Sequence, residues 1–307
     1  MSRRTTSPWW SDVHLDAATI LLQWATGGLA FLWVTTRGRL VSLGYGWLLR
    51  GVFGLIGIGA VAAELRAAHR GGGHGAFLVG AGGLIACASL AGIVSVVRRR
   101  AGVGAGRDAR ERSRARVAAM AGRAEETVGG SEDSSGLEDP VGREFPSKLD
   151  LLAPAFGLVG LVGAAAFTGG SSWLAAARLL VGAAFLGAVT DAMLLGHWYL
   201  TQPGLPRDPL KEMVRWTAVI WPAEVLVMLL PPGMIGVLAG SRSDGYGGLL
   251  GWMWVVCALL TIGLIGATWL ALRERFYSAV MAATGLIYLA ILTAFGTDLV
   301  ARALLAP

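Results

Sequence analysis

The sequence predicts an all-α integral membrane protein, a polytopic helical bundle of about eight transmembrane helices. Three observations carry that reading. Hydrophobic side chains make up 54% of the 307 residues and charged ones only 15%, where a soluble domain has about 25% charged. The charges are also gathered: residues 98–150 hold 11 of the 26 Lys and Arg, while long stretches elsewhere have almost none. And the 45 glycines, which would weaken helices in water, suit membrane helices, where small residues let backbones approach closely.

The apolar windows, in order, are residues 17–35, 46–65, 76–97, 151–169, 173–200, 213–239, 248–271 and 277–300, each bounded by charge, Gly or Pro. Roughly 20 helical residues cross the hydrocarbon core. Backbone polar groups in lipid must be satisfied within the segment, so runs of this length are helices. The alternating segments of about ten residues that mark a membrane β-barrel are missing.

Lys and Arg placement sets an expected orientation. The odd-numbered connections hold Arg37 and Arg39 with neighbouring Arg50, the 11 of residues 98–150, then Arg207, Lys211 and Arg215, then Arg273 and Arg275. The termini and even connections hold Arg3, Arg4, Arg66, Arg70, Arg242 and Arg302. Cytoplasmic connections carry the excess of positive charge, so the odd connections are expected inside and both termini outside, in the plasma (inner) membrane. The same rule accounts for the formal net charge of +6 without nucleic acid as a partner; the expected partners are the lipid bilayer and other membrane subunits.

Three regions follow: membrane helices one to three within 1–100, a charged cytoplasmic loop at 101–147, and membrane helices four to eight within 148–307. The loop opens basic, through Arg107, Arg110, Arg112, Arg114 and Arg116, and turns acidic through Glu125, Glu126, Glu132, Asp133, Glu138 and Asp139. With Phe145 near its end as its one aromatic and no apolar run, it cannot build a core, and most of it is expected to be disordered. Its basic part fits either a helix lying on anionic head groups or a solvated linker. Nothing at the start resembles a cleaved signal peptide, because Thr5 to Trp10 interrupt any short apolar core.

Ionisable residues within spans are functional candidates by default, and two stand out. Asp191 lies in the fifth window and Glu224 in the sixth. Counting about nine residues from Leu200 and eleven from Met213 places both at roughly 13–17 Å depth. Two carboxyls at one level could share a proton or coordinate a cation; the alternative is that each is satisfied separately by a hydroxyl, a Trp N–H or a helix partner. Arg178 is too far along its helix to neutralise them, and is expected to meet Asp298 at the outer end of the eighth span.

His197 and Trp198 stand near the inner end of the fifth span. They suit an interfacial anchor with Tyr199, or a contact with a quinone ring. A membrane haem b wants two intramembrane histidines, and this chain offers one. His14, His69 and His74 fall on the outer side, where three imidazoles could take a transition metal; ordinary exposed histidines are the favoured reading. Cys87 and Cys257 lie inside spans with no CxxC or Cys/His zinc spacing.

The glycine runs Gly51–Gly59 and Gly80–Gly83 superficially resemble nucleotide loops, yet no strand precedes them. Close helix packing explains them, as it does the small residues Ala153, Gly157, Gly160 and Ala164 in the fourth window. Pro222 and Pro231–Pro232–Gly233 interrupt the sixth window, where proline bends or stops a helix. Broken helices of this kind line sites in transporters.

The sequence contains no Ser/His/Asp order, HExxH, Walker or kinase pattern, and it points to no particular cofactor. The leading expectation is a non-catalytic membrane subunit or scaffold of an energy-transducing, respiratory kind. The alternatives are a small transporter with a proton or cation site at Asp191 and Glu224, and a quinone-contacting subunit. An enzyme acting within the membrane comes after these.

Overall fold

The computed structural model describes residues 16–67, 74–98, 145–166, 172–202, 205–231, 233–274 and 276–305. Among them every regular element is a helix, and the fold is the helical membrane bundle that the composition predicts. Eight long helices run antiparallel in sequence: α1 Ala17–Thr36, α2 Leu43–Ala67, α3 His74–Val97, α4 Leu152–Ala166, α5 Ser172–Thr201, α6 Asp208–Leu229, α7 Leu249–Ala271 and α8 Tyr277–Leu305. A 3-10 turn, Ser147–Leu151, leads into α4, and a short helix, Met234–Leu238, follows α6.

Seven of these are long and apolar enough to cross a membrane, the turn and α4 together making one span. The exception is α6. The sequence places the sixth span at 213–239, but the helix starts at Asp208, with Pro209 in its first turn, and stops at Leu230. Its opening turns therefore carry Asp208, Lys211, Glu212 and Arg215, which lowers its apolar content. Pro suits a first helical turn, where its missing N–H would have no partner anyway. Pro222 stays inside the helix.

The end of the bundle carrying Arg37, Asp150 and Asp208 is the loop end; Ser172, Leu230 and Leu305 mark the terminal end. α5 is the axis of the fold. It packs against α1, α4, α6 and α8, and every residue from Phe185 to Ala192 is buried. α3 pairs with α4, and α7 with α8. Large apolar side chains on the outer faces stay exposed, Leu55, Ile93, Trp252 and Leu292 among them, as a helix facing lipid requires.

Glycine sets the closest helix contacts. A Cβ on Gly27 of α1 would fall 1.7 Å from the Ala183 carbonyl oxygen of α5, and one on Gly80 of α3 would fall 2.4 Å from the Gly160 backbone of α4. The expected small-residue face of α4 is thus used by α3, while Gly157 turns towards Thr26 and Leu84.

At the loop end Arg50 of α2 grips Asp150 with two hydrogen bonds, Nε to Oδ1 at 2.8 Å and Nη2 to Oδ2 at 2.7 Å. The Phe145 ring lies 4.8 Å from the guanidinium carbon. The chain is therefore packed from Phe145 onward, two residues before the expected end of the 101–147 loop; residues 101–144 lie outside the described residues. Arg37 meets Glu212 of α6 in an exposed ion pair.

Candidate functional site

The polar centre of the bundle lies in its terminal half, where α1, α5, α6 and α8 meet. α8 contributes Asp298 and, one turn later, Arg302. The Arg302 Nε contacts both oxygens of Asp298, at 2.9 and 2.7 Å, and its Nη2 donates to the Arg178 carbonyl at 3.0 Å. α1 contributes Gln23, whose Nε2 donates to Asp298 Oδ1 at 3.3 Å. α6 contributes Glu224, which is fully buried. The groups acting electrostatically on Glu224 are Asp298 first, then Arg302 and Arg178. Its carboxyl abuts that of Asp298, but neither of its oxygens makes a well-formed hydrogen bond.

Gly182 of α5 makes room for this convergence. A Cβ there would lie 2.3 Å from Gln23 Nε2, 2.6 Å from Arg302 Nη2 and 2.8 Å from Asp298 Oδ1. Any other residue would occupy the space where three polar groups from two helices come together. Arg178, one turn earlier on α5, donates to the carbonyls of Val227 at 3.0 Å and Leu230 at 2.8 Å. These carbonyls close α6 and have no further helical amides to accept from, and a cation there also answers the negative end of the helix dipole.

The centre thus holds two carboxyls and two guanidinium groups. Arg302 and Gln23 answer Asp298 directly. Glu224 feels Arg302 and Arg178 through space and has the Asp298 carboxyl against it. A buried carboxylate without donors loses its hydration and gains little in return, so Glu224 is where a proton or a cation would change the balance of charge.

Asp191 is not part of this centre. It lies nine residues beyond Gly182 on α5, roughly 13 Å closer to the loop end. The expected matched depth of Asp191 and Glu224 fails because α6 begins five residues before Met213, so Glu224 sits deeper than a count from Met213 suggests. Asp191 is fully buried, and neither carboxyl oxygen has a hydrogen-bond partner among the described residues. The Tyr45 hydroxyl reaches its backbone carbonyl at 3.4 Å.

Arg178 and Asp298 do come to the same end of the bundle, but the partner that grips Asp298 is Arg302, with Arg178 attached through its own carbonyl. His197 is exposed, and its Nδ1 bonds the Tyr288 hydroxyl of α8 at 3.0 Å. Trp198 turns the other way, its ring 5.8 Å from that of Tyr45. The two side chains therefore do not form one contact surface. His14 and His69, and the side chain of His74, lie outside the described residues.

No family model, curated protein or solved structure matches this chain. The site is read from its own geometry. Sequence reasoning missed Gln23, Gly182 and Arg302. Gln23 and Gly182 carry no charge to draw notice, and Arg302 reads as a flanking charge at a span end. The four-residue spacing of Asp298 and Arg302 was the available signal, since such pairs meet on one helix face.

Proposed function

We propose that this protein binds and releases protons within the membrane as a small transporter that moves protons, with Glu224 as the group that carries the proton and Asp298 as its neighbour and acceptor. One observation carries the reading: a fully buried carboxyl abuts a second carboxyl that is already ion-paired, and neither of its oxygens makes a well-formed hydrogen bond among the described residues. A protein that served only as a scaffold would lose nothing by placing a leucine there. Buried charged groups are commonly replaced by apolar ones with neutral or favourable effect on stability, whereas ionisable groups kept within spans mark ion pathways and proton relays. A proton on Glu224 would be donated to Asp298, leaving Arg302 and Arg178 opposite a single negative charge; its release restores two against two. Pro222, two residues away inside α6, leaves the Ala218 carbonyl without its helical donor, so the helix is held less tightly beside the site.

The test is proton uptake by proteoliposomes under an imposed potassium diffusion potential, followed with a trapped pH-sensitive dye. Wild-type protein should take up protons faster than empty liposomes, and Glu224→Gln should return the rate to theirs. A wild-type rate equal to that of empty liposomes would replace transport with the subunit or scaffold role. On this reading the protein sits in the plasma (inner) membrane with the terminal end outside, an orientation that the distribution of Lys and Arg supports. Single cysteines at positions 134 and 243 should then be labelled from opposite sides, the first from the cytoplasm.

A further inference from the structure

We infer that Asp191 is a second proton-binding group, served from the loop end of the bundle and separated from the Glu224 centre by a dry helix contact. The inference rests on the proton-handling reading of Glu224 for its role in transport, but the Asp191 site stands on its own residues. Polar atoms with unspent hydrogen-bonding capacity line one seam between Asp191 and the loop end. Both carboxyl oxygens of Asp191, the Trp198 indole N–H and the Ser42 hydroxyl are buried and without hydrogen-bond partners among the described residues. Trp198 and Ser42 both close on Gly44, with ring atoms at 3.6 Å and the hydroxyl oxygen at 4.0 Å from where its Cβ would stand. The Tyr45 hydroxyl continues the series to the Asp191 backbone at 3.4 Å. Buried polar groups in native proteins are ordinarily paired with protein or water. A row of unspent ones that starts at a carboxyl and ends at a helix start is the lining that proton exchange needs.

In the opposite direction the lining stops. Between Asp191 and Gly182 the face of α5 towards α1 is closed by Gly187 and Ala183. A Cβ on Gly187 would fall 2.2 Å from the Gly27 carbonyl carbon. Two backbones at that separation leave no space for water. The polar groups on this stretch are spent locally, Trp24 Nε1 on Thr190 Oγ1 at 2.9 Å and Thr190 Oγ1 on the Leu186 carbonyl at 2.6 Å.

Among the described residues, few other titratable groups surround Asp191. Tyr45 faces it from α2. α1 and α4 contain no ionisable side chain within their helical ranges. On α6, Glu212 is paired with Arg37 and Arg215 lies over the Trp269 ring, leaving Asp208 and Lys211 at the loop-end start of the helix. On α8, Tyr288 bonds His197, Tyr277 reaches the Tyr199 carbonyl, and Asp298 and Arg302 belong to the other centre. The arrangement is one carboxyl site on each side of a close helix contact.

The experiment is infrared spectroscopy of the full chain in lipid, reading the carbonyl stretch of protonated carboxyls and its downshift in D2O. Asp191→Asn should remove one component and Glu224→Gln a different one. If Asp191→Asn leaves the band unchanged, the Asp191 site is overturned. If only Glu224→Gln leaves it unchanged, the proposed function fails while Asp191 stands. A second measurement does not depend on replacing either carboxyl. In protein with Cys87 and Cys257 replaced by serine, Ser42→Cys is blocked with a bulky thiol reagent. Blocking should slow deuterium exchange of the Asp191 component at least tenfold and leave the Glu224 component as it was. Equal slowing of both, or of neither, would overturn the separate loop-end route.

Discussion

Gly27 on α1 and Ala183 on α5 stand so close that a Cβ on the glycine would lie 1.7 Å from the alanine carbonyl oxygen. The obstacle is backbone on both helices, which cannot rotate aside as a side chain can. Gly27→Ala is therefore expected to force α1 away from α5 and destabilise the bundle by about 1–3 kcal/mol, the usual cost of overpacking. Gly54→Ala provides the contrast. Nothing lies within 4 Å of its Cβ position, and alanine is the better helix former. Thermal unfolding in detergent should show a lower midpoint for the first variant and an unchanged or higher one for the second.

Arg50 and Asp150 form a pair whose side chains are only 5% and 2% exposed. Removing one partner strands the other. Arg50→Met should cost about 3–5 kcal/mol, and Arg50→Met with Asp150→Leu should recover most of it, because an apolar pair of similar volume often replaces a buried ion pair without loss. If the double variant is as unstable as the single one, the pair holds the start of α4 by geometry that packing cannot replace.

Asp244, in the connection before α7, accepts from the backbone amides of Gly248 at 2.8 Å, Tyr246 at 2.9 Å and Leu250 at 2.9 Å. These amides, Gly248 first, hold its carboxyl below its ordinary value. A carboxyl lowered in the folded state adds stability above the unfolded value of about 3.9, and that stability is lost as pH falls through the lower folded value. Hydrogen exchange at Gly248 and Leu250 should therefore stay slow through the neutral range and quicken only in acid below about pH 4. Asp244→Ala should quicken it at every pH. Unchanged exchange in that variant near neutrality would show that the glycine-rich turn holds itself.

The eight helices were legible because lipid imposes one rule on backbone and side chains over some twenty residues, and the windows recover that rule. Depth was harder to read. The start of α6 is charged, so a hydropathy window begins it at Met213 rather than Asp208, and a shift of five residues moves Glu224 by roughly 7 Å along the axis. That error brought Asp191 and Glu224 to one level on paper. Rotation was not legible at all: periodicity is faint in helices apolar on every side, so nothing in the sequence told which residues of α8 would meet α6. Gln23 and Gly182 became visible only once four helices were brought together around them.

The Asp298–Arg302 pair makes the last prediction, and it separates the two carboxyl centres. Asp298 is fully buried and the Arg302 side chain is 14% exposed. Arg302→Met leaves Asp298 and Glu224 abutting with Arg178 as the remaining nearby cation, so a loss of about 3–5 kcal/mol is expected, as for any buried pair broken from one side. Adding Asp298→Leu removes the stranded charge, and most of the loss should return. The interaction between the two substitutions should reach about 0.5–3 kcal/mol, the range for residues in one network. Asp191→Asn combined with Arg302→Met should instead be additive within about 0.5 kcal/mol, because sites more than about 7–10 Å apart with no shared partners act independently. Chemical or thermal unfolding of the wild type and the five variants in one detergent measures both cycles. Non-additivity between Asp191 and Arg302 would mean that the Gly27–Ala183 contact transmits between the centres rather than insulating them.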